Sequence, residues 1–211
     1  MASSTISLVI TLLVLCLAKN FCSAIEDKYY VKFDVQLSDH DTGSFVLEVN
    51  PSWAPNGAQR FKELLDDDFF AGCRFFRVIK DFVAQFGIHG NPGVQSQWRD
   101  QKIKDDPVTQ KNYKGSLTFA TSGPDSRTTQ LFFNLKDNFF LDSMGFSPFA
   151  RVVIGQETVD ALYSGYGEGA PSGSGPSQAL IQQKGNTYLT ANFPDLSYII
   201  STTIVDYPDQ Q

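Results

Sequence analysis

From Tyr29 onward, apolar side chains fall on alternate positions, Val31, Phe33, Val35 and Leu37, the period of a strand with one buried face. Asp39-His40-Asp41-Thr42-Gly43 supplies turn chemistry. Phe45, Leu47 and Val49 then resume the alternation until Pro51 and Pro55 end it, which predicts a β-hairpin. Ala58, Phe61, Leu64 and Leu65 follow at helical spacing. They predict an amphipathic helix with Asn56 as N-cap and Gln59 as its capping-box partner. The acidic run Asp66 to Asp68 should stop that helix near Leu65, because the helix dipole disfavours negative charge at a C-terminus. Short β-branched or aromatic runs bounded by Gly, Pro, Asn or Asp predict strands at Arg74–Ile79, Phe82–Phe86, Ser116–Ala120, Gln130–Leu135, Phe149–Ile154 and Tyr198–Val205. A second helix is expected over Glu157–Tyr163, ended by Gly165. The polar stretch Gln95–Lys114 and the Gly/Ser/Pro-rich stretch Ser164–Ser177 read as long surface loops. Two helices and about eight strands point to a mainly β barrel or sandwich.

The N-terminus breaks this pattern. Ile6 to Ala18 is almost continuously apolar, and Phe21-Cys22-Ser23-Ala24 closes it with small residues, as a signal peptide does. The expected division is therefore a signal peptide over 1–24 and one domain over 25–211, the size of a single core. A buried N-terminal helix is the competing reading, but a helix apolar on every face would need the centre of the domain. Cleavage after Ala24 would remove Lys19, Cys16 and Cys22, leaving a chain one unit more acidic than the −6 of the full sequence. Only Cys73 would remain, so no internal disulfide could form. An acidic chain without a Lys/Arg cluster argues against a nucleic-acid partner. No second apolar span suggests a membrane protein, and the end Asp206-Tyr207-Pro208-Asp209-Gln210-Gln211 carries no luminal retention signal, so secretion is expected.

Several chemistries lack their apparatus. Gly165-Tyr166-Gly167-Glu168-Gly169 invites a nucleotide reading, but it follows a predicted helix instead of joining a strand to one, so a flexible loop is the better reading. The two histidines, His40 and His89, stand at no metal-ligand spacing, and no nucleophile elbow occurs. Neither a metal nor another cofactor is expected.

Two stretches carry a family resemblance. Phe75-Phe76-Arg77-Val78-Ile79-Lys80-Asp81-Phe82-Val83-Ala84-Gln85 resembles the cyclophilin segment F-x-R-V-I-x-x-F-x-x-Q. Gly115-Ser116-Leu117-Thr118-Phe119-Ala120-Thr121-Ser122-Gly123-Pro124, running on to Gln130-Leu131-Phe132, resembles the family's G-x-L-x-x-A-x-x-G-P followed by Q-x-F. The two come in the family's order and at similar separation, and the likeness extends over about residues 32–205. It implies a closed eight-stranded antiparallel β-barrel capped by two α-helices, and the activity of a peptidyl-prolyl cis/trans isomerase, or rotamase, assisting protein folding. Carried over position by position, the family's catalytic arginine falls on Arg77 and its proline pocket on Phe82, Val83, Phe132 and Leu141. Gln85 and Gln130 take the polar positions, and Ala120 and Thr121 the stretch that holds substrate backbone. Phe140 stands where many members have tryptophan, losing an indole N–H, which argues against strong cyclosporin binding. The family's pocket histidine is missing; the nearest residue is Phe146, which either lines the pocket or packs below it. Gln85-Phe86-Gly87 lacks the usual double glycine. The implied partners are X-Pro-containing peptides and proteins, met by a monomer.

These residue types suit that chemistry. Rotation about an X-Pro amide is opposed by resonance, with a barrier of about 18–20 kcal/mol, and breaks no bond. An apolar pocket could anchor the pyrrolidine ring while a permanently charged guanidinium bonds the amide as its conjugation is lost. Lowering the barrier by roughly 7 kcal/mol would accelerate rotation about 10⁵-fold. Each residue also has a plain alternative: Phe82, Val83 and Phe132 as ordinary core, Arg77 as a surface ion-pair partner. A binding module or chaperone with little isomerase activity, motivated by the missing histidine, is the alternative function.

Overall fold

The computed structural model describes residues 28–206; the expected signal peptide lies outside the described residues. Eight strands form one antiparallel, curled sheet: β1 (Tyr29–Gln36), β2 (Thr42–Val49), β3 (Arg77–Ile79), β4 (Val83–Phe86), β5 (Ser116–Phe119), β6 (Leu131–Asn134), β7 (Ala150–Ile154) and β8 (Tyr198–Val205). Their order across the sheet is β3-β4-β6-β5-β7-β2-β1-β8. The hairpin falls where the alternation placed it, with Val31 opposite Leu47 and Phe33 opposite Phe45. The segment leading into β3 reaches the start of β8: Gly72 N–H donates to the Ile199 carbonyl at 2.8 Å, Phe75 N–H to Ser197 at 3.0 Å, and Ile199 N–H to Cys73 at 2.9 Å.

The inner face of this sheet holds one large core rich in phenylalanine, including Phe33, Phe45, Phe61, Phe70, Phe86, Phe133 and Phe149, each fully buried. Their rings pack at 4.9–6.5 Å in stacked, tilted and edge-on pairs, geometries that add to what burial alone contributes. Cys73 is free and buried in this core, its thiol donating to the Phe69 carbonyl; burial pushes the thiol well above its ordinary pKa.

The helices depart from expectation in number and detail. Four α-helices, not two, occur among the described residues: α1 (Pro55–Asp66), α2 (Pro92–Trp98), α3 (Gln156–Asp160) and α4 (Gln178–Asn192), joined by a 3-10 turn at Phe139–Met144. Helix α2 occupies the start of the expected Gln95–Lys114 loop, and α3 stops at Asp160, short of Tyr163. Helix α4 buries Ile181, Gly185 and Leu189, four residues apart, and is kinked at Gly185 (φ 56°, ψ −142°), where a Cβ would collide with the Gly90 carbonyl. It covers a second, smaller apolar cluster of Phe76, Ile88, Ile181, Leu189 and Leu196.

Helix α1 is also capped differently. Asn56 is inside the helix, the N-cap is Ala54 with no side-chain bond, and Pro55 takes the first position, where its missing N–H costs nothing. The orphan N–H groups of Asn56 and Gly57 are instead satisfied from a distance by the Asp106 carboxylate, both at 2.9 Å. Asp106 is buried and paired with Arg127 Nη1 at 3.2 Å, so one carboxylate ties α1 to the segment before β5 and to the loop between β5 and β6. Removing one partner of a buried, hydrogen-bonded ion pair leaves an uncompensated charge, so Asp106→Ala should lower the unfolding free energy by about 3–5 kcal/mol. Urea unfolding checks it; a loss below about 1 kcal/mol would show the pair to be dispensable.

Candidate functional site

The site follows from the two-residue period of the strands. On β4, Ala84 and Phe86 point into the main core, so Val83 and Gln85 take the opposite face. Pairing then extends that outer row: Arg77 on β3 lies opposite Gln85, and Gln85 lies opposite Phe132 on β6. Val83, Phe132 and Leu141 form their own buried cluster, 2%, 5% and 4% exposed, with Phe82, Ala120 and Phe146 packed against it. These side chains are therefore not main core, the plain alternative for them; they floor a separate hollow.

That hollow is a cavity of about 280 Å³. Arg77, Phe82, Val83 and Gln85 line it from the β3–β4 hairpin, Ala120, Thr121 and Phe132 from β5 and β6 and their ends, and Phe140, Leu141 and Phe146 from the 3-10 turn and its exit. Phe146 lines the cavity, its ring edge-on to Phe132 at 5.5 Å. Every residue singled out from the sequence converges here except Gln130, which lines an adjoining polar hollow of about 410 Å³ shared with Gln85, Ala120 and Thr121. Thr121 turns its hydroxyl onto the Gly123 carbonyl and Ser126, so its side chain is engaged within its own loop.

Sequence reasoning missed Met144, 61% exposed at the rim, and the buried amides that hold the 3-10 turn in place. Asn138 Nδ2 donates to the Phe82 carbonyl at 2.9 Å and to Asn134 Oδ1 at 2.8 Å; Asn134 Nδ2 donates to Asn112 Oδ1 and Ser116 Oγ; and Asn112 Nδ2 reaches Asp142 and the Phe146 carbonyl. This network fixes Leu141 and Phe146 against the sheet. Gly87, standing alone where the family has two glycines, has φ 94°, and a Cβ there would collide with the Thr129 carbonyl, so one glycine suffices for the close crossing.

Arg77 stands at the mouth of the hollow with its guanidinium carbon 5.8 Å from the Phe82 ring centroid, and Phe82 stacks on Phe140 at 6.0 Å. Its Nε and Nη2 donate to the two carboxylate oxygens of Glu168 at 2.6 and 2.8 Å, and its Nη1 donates to Gln85 Oε1 at 3.1 Å. The chain of donors continues from Gln85 Nε2 to Gln130 Oε1 at 2.8 Å and from Gln130 Nε2 to Gln178 Oε1 at 3.1 Å. Glu168 belongs to the glycine-rich stretch read from sequence as a flexible loop. The stretch is instead knitted together, with Gly175 N–H bonded to the Glu168 carbonyl, Gly173 N–H to Gly169, and Tyr166 Oη to Asp195.

The Arg77 guanidinium, helped by Gly169 N–H and opposed by partial burial, holds the Glu168 carboxyl below its ordinary pKa. A depressed carboxyl contributes stability that is present above its unfolded pKa, about 4.3, and disappears as pH falls through the lower folded value. Wild type should therefore exceed Glu168→Gln in thermal stability at neutral pH. The gap should close on acidification below the usual carboxylate range; a gap independent of pH would show that the charge is not its source.

Comparison with known proteins agrees with this geometry. Residues 30–181 match the family model of the cyclophilin type peptidyl-prolyl cis-trans isomerase/CLD. A peptidyl-prolyl cis-trans isomerase of Streptomyces antibioticus is 34% identical over 130 residues, covering 57% of this chain and 77% of its own. Peptidyl-prolyl cis-trans isomerase B of Escherichia coli is 32% identical over 129 residues, covering 57% and 78%. Among solved structures, a cyclophilin type peptidyl-prolyl cis-trans isomerase of Cryptosporidium parvum has a TM-score of 0.62 at 17% identity, covering 86% of this chain and 99% of that one, a likeness of fold.

Proposed function

The chain belongs to the cyclophilin-type peptidyl-prolyl cis-trans isomerase family and is an isomerase of X-Pro peptide bonds, and we propose that it works at the hollow beneath Arg77, on chains met in the secretory pathway or outside the cell. The observation that carries the site assignment is the placement of a guanidinium at the rim of an apolar cavity, with Phe132 and Leu141 at its floor. The pyrrolidine ring enters this hollow and anchors the substrate by burial. The preceding residue lies towards Gln85, Ala120 and Thr121, which separate the apolar hollow from the polar one.

With the ring fixed, the amide twists about its C–N bond. As conjugation is lost the nitrogen regains a lone pair, and the N–H groups of Arg77 left over from Glu168 and Gln85 donate to the amide as that change proceeds. The interaction is stronger in the twisted amide than in either planar isomer, which is what lowers the barrier. The step forms and breaks no covalent bond.

The finer architecture follows the same reading. The bonds joining residues 72–75 to 197–199 are taken as the seam that closes the curled sheet into a barrel, and slow amide exchange at Ile199 checks it. The same reading takes the enzyme as a monomer, which its elution in size-exclusion chromatography would test. Export is supported by the apolar run Ile6 to Ala18 and the small residues after it, so the secreted protein should begin at Ile25; recovery of an intact N-terminus in the cytosol would contradict export.

On the mature domain, wild type should accelerate cis/trans exchange of an X-Pro peptide well above buffer, and Arg77→Ala should reduce kcat/KM by about 10²–10³. Exchange measured by NMR on a proline peptide checks both. An Arg77→Ala variant at the wild-type rate would remove Arg77 from the chemistry.

A further inference from the structure

Glu168 does not line the apolar hollow, yet it makes the two shortest bonds to Arg77. An arginine side chain has many rotamers, and a guanidinium free to sample them would present the substrate with the productive orientation only part of the time. Here the orientation is fixed from three directions: Glu168 grips Nε and Nη2 in the bidentate fork, Gln85 takes Nη1, and the Phe82 ring lies 5.8 Å from the guanidinium carbon. Of the five N–H donors of a guanidinium, these bonds occupy three and leave two for a substrate amide.

The carboxylate is itself pre-set. Its Oε1 accepts from Gly169 N–H at 2.8 Å, and its main-chain carbonyl accepts from Gly175 N–H at 2.9 Å. Gly173 and Gly175 approach that carbonyl so closely that a Cβ on either would clash. Tyr166, two residues earlier, is anchored by its hydroxyl on Asp195 at 2.9 Å and by its ring on Phe193 at 5.0 Å. The same segment runs into α4, whose first residue, Gln178, closes the row of amides at the far end. A surface ion pair held only by two long side chains would gain little; this one has a carboxylate fastened by its own backbone loop.

We propose that the glycine-rich segment 165–175 is a built-in positioning device for the isomerase site, with Glu168 as the positioning residue that orients the Arg77 guanidinium for the twisted X-Pro amide. The inference rests on the assignment of Arg77 given above. Glu168 acts through Arg77 and touches no substrate, so its loss should lower kcat and leave KM nearly unchanged, and the loss should vanish when Arg77 is absent.

A double-mutant cycle on the mature domain tests this. Glu168→Ala should reduce kcat about ten-fold with KM within about two-fold of wild type. In an Arg77→Ala background the same change should alter the residual rate less than about two-fold. Glu168→Gln, which keeps an acceptor for one guanidinium N–H, should fall between wild type and alanine, and it carries the decision if Glu168→Ala does not fold. The Arg77 Nε–H resonance gives an independent reading: resolved and slowly exchanging in wild type, lost in the Glu168 variants. Equal losses in both backgrounds would make Glu168 merely structural and overturn the proposal. So would a wild-type or faster rate in Glu168→Ala or Glu168→Gln, the latter result marking the carboxylate as a brake. If Arg77→Ala alone keeps full activity, the site assignment fails together with this inference; a crippled Arg77→Ala beside a fully active Glu168→Ala sinks the inference only.

Discussion

The proposed chemistry depends on a single cation at the edge of an apolar cavity, and the surrounding structure holds that cation in place. Arginine suits the position because its charge does not titrate near neutral pH and its planar fork can be gripped on one edge while it donates from another. The grip comes from Glu168 and Gln85 and the lateral support from Phe82. Beneath it Val83, Phe132 and Leu141 are buried without belonging to the main core, so the cavity has a rigid floor independent of the phenylalanines on the other face of the sheet.

The strand period makes this division possible. Along β4, Ala84 and Phe86 join the main core while Val83 and Gln85 line the hollow, so a register slip of one residue would exchange the two sets and destroy both. Buried amides on the site face resist such a slip. Asn134 and Asn138 tie the 3-10 turn to the strands, and Asn138 does so through the carbonyl of Phe82, a residue of the cavity wall. Leaving any of these amides unpaired in a dry interior would cost about 1–3 kcal/mol, so register, turn and pocket are stabilised together.

Much of this was legible from the residues. The alternation placed β1 to within a residue because that strand has one buried and one less buried face, and β8 matched Tyr198–Val205 at both ends, whereas β2 starts at Thr42, inside the expected turn and three residues before Phe45. The convergence of Arg77, Phe82, Val83, Phe132 and Leu141 could be read only through the family resemblance, since alternation cannot say which face of a strand meets the core and which a cavity. The cap of α1 escaped because Asp106 lies 50 residues from the Asn56 N–H it accepts. Helix α4 escaped because its apolar face is sparse and broken at Gly185. Glu168 escaped because its partner is 91 residues away and because glycine-rich sequence suggests freedom, whereas close backbone crossings here use glycine to remove it.

A structure of residues 25–211 with an X-Pro peptide bound would test the central claim most directly. The account predicts the pyrrolidine ring against Phe132 and Leu141, with an Arg77 N–H within hydrogen-bonding distance of the prolyl amide and the Glu168 pair still in place. A peptide seated elsewhere, or an Arg77 side chain turned away from the proline, would contradict it.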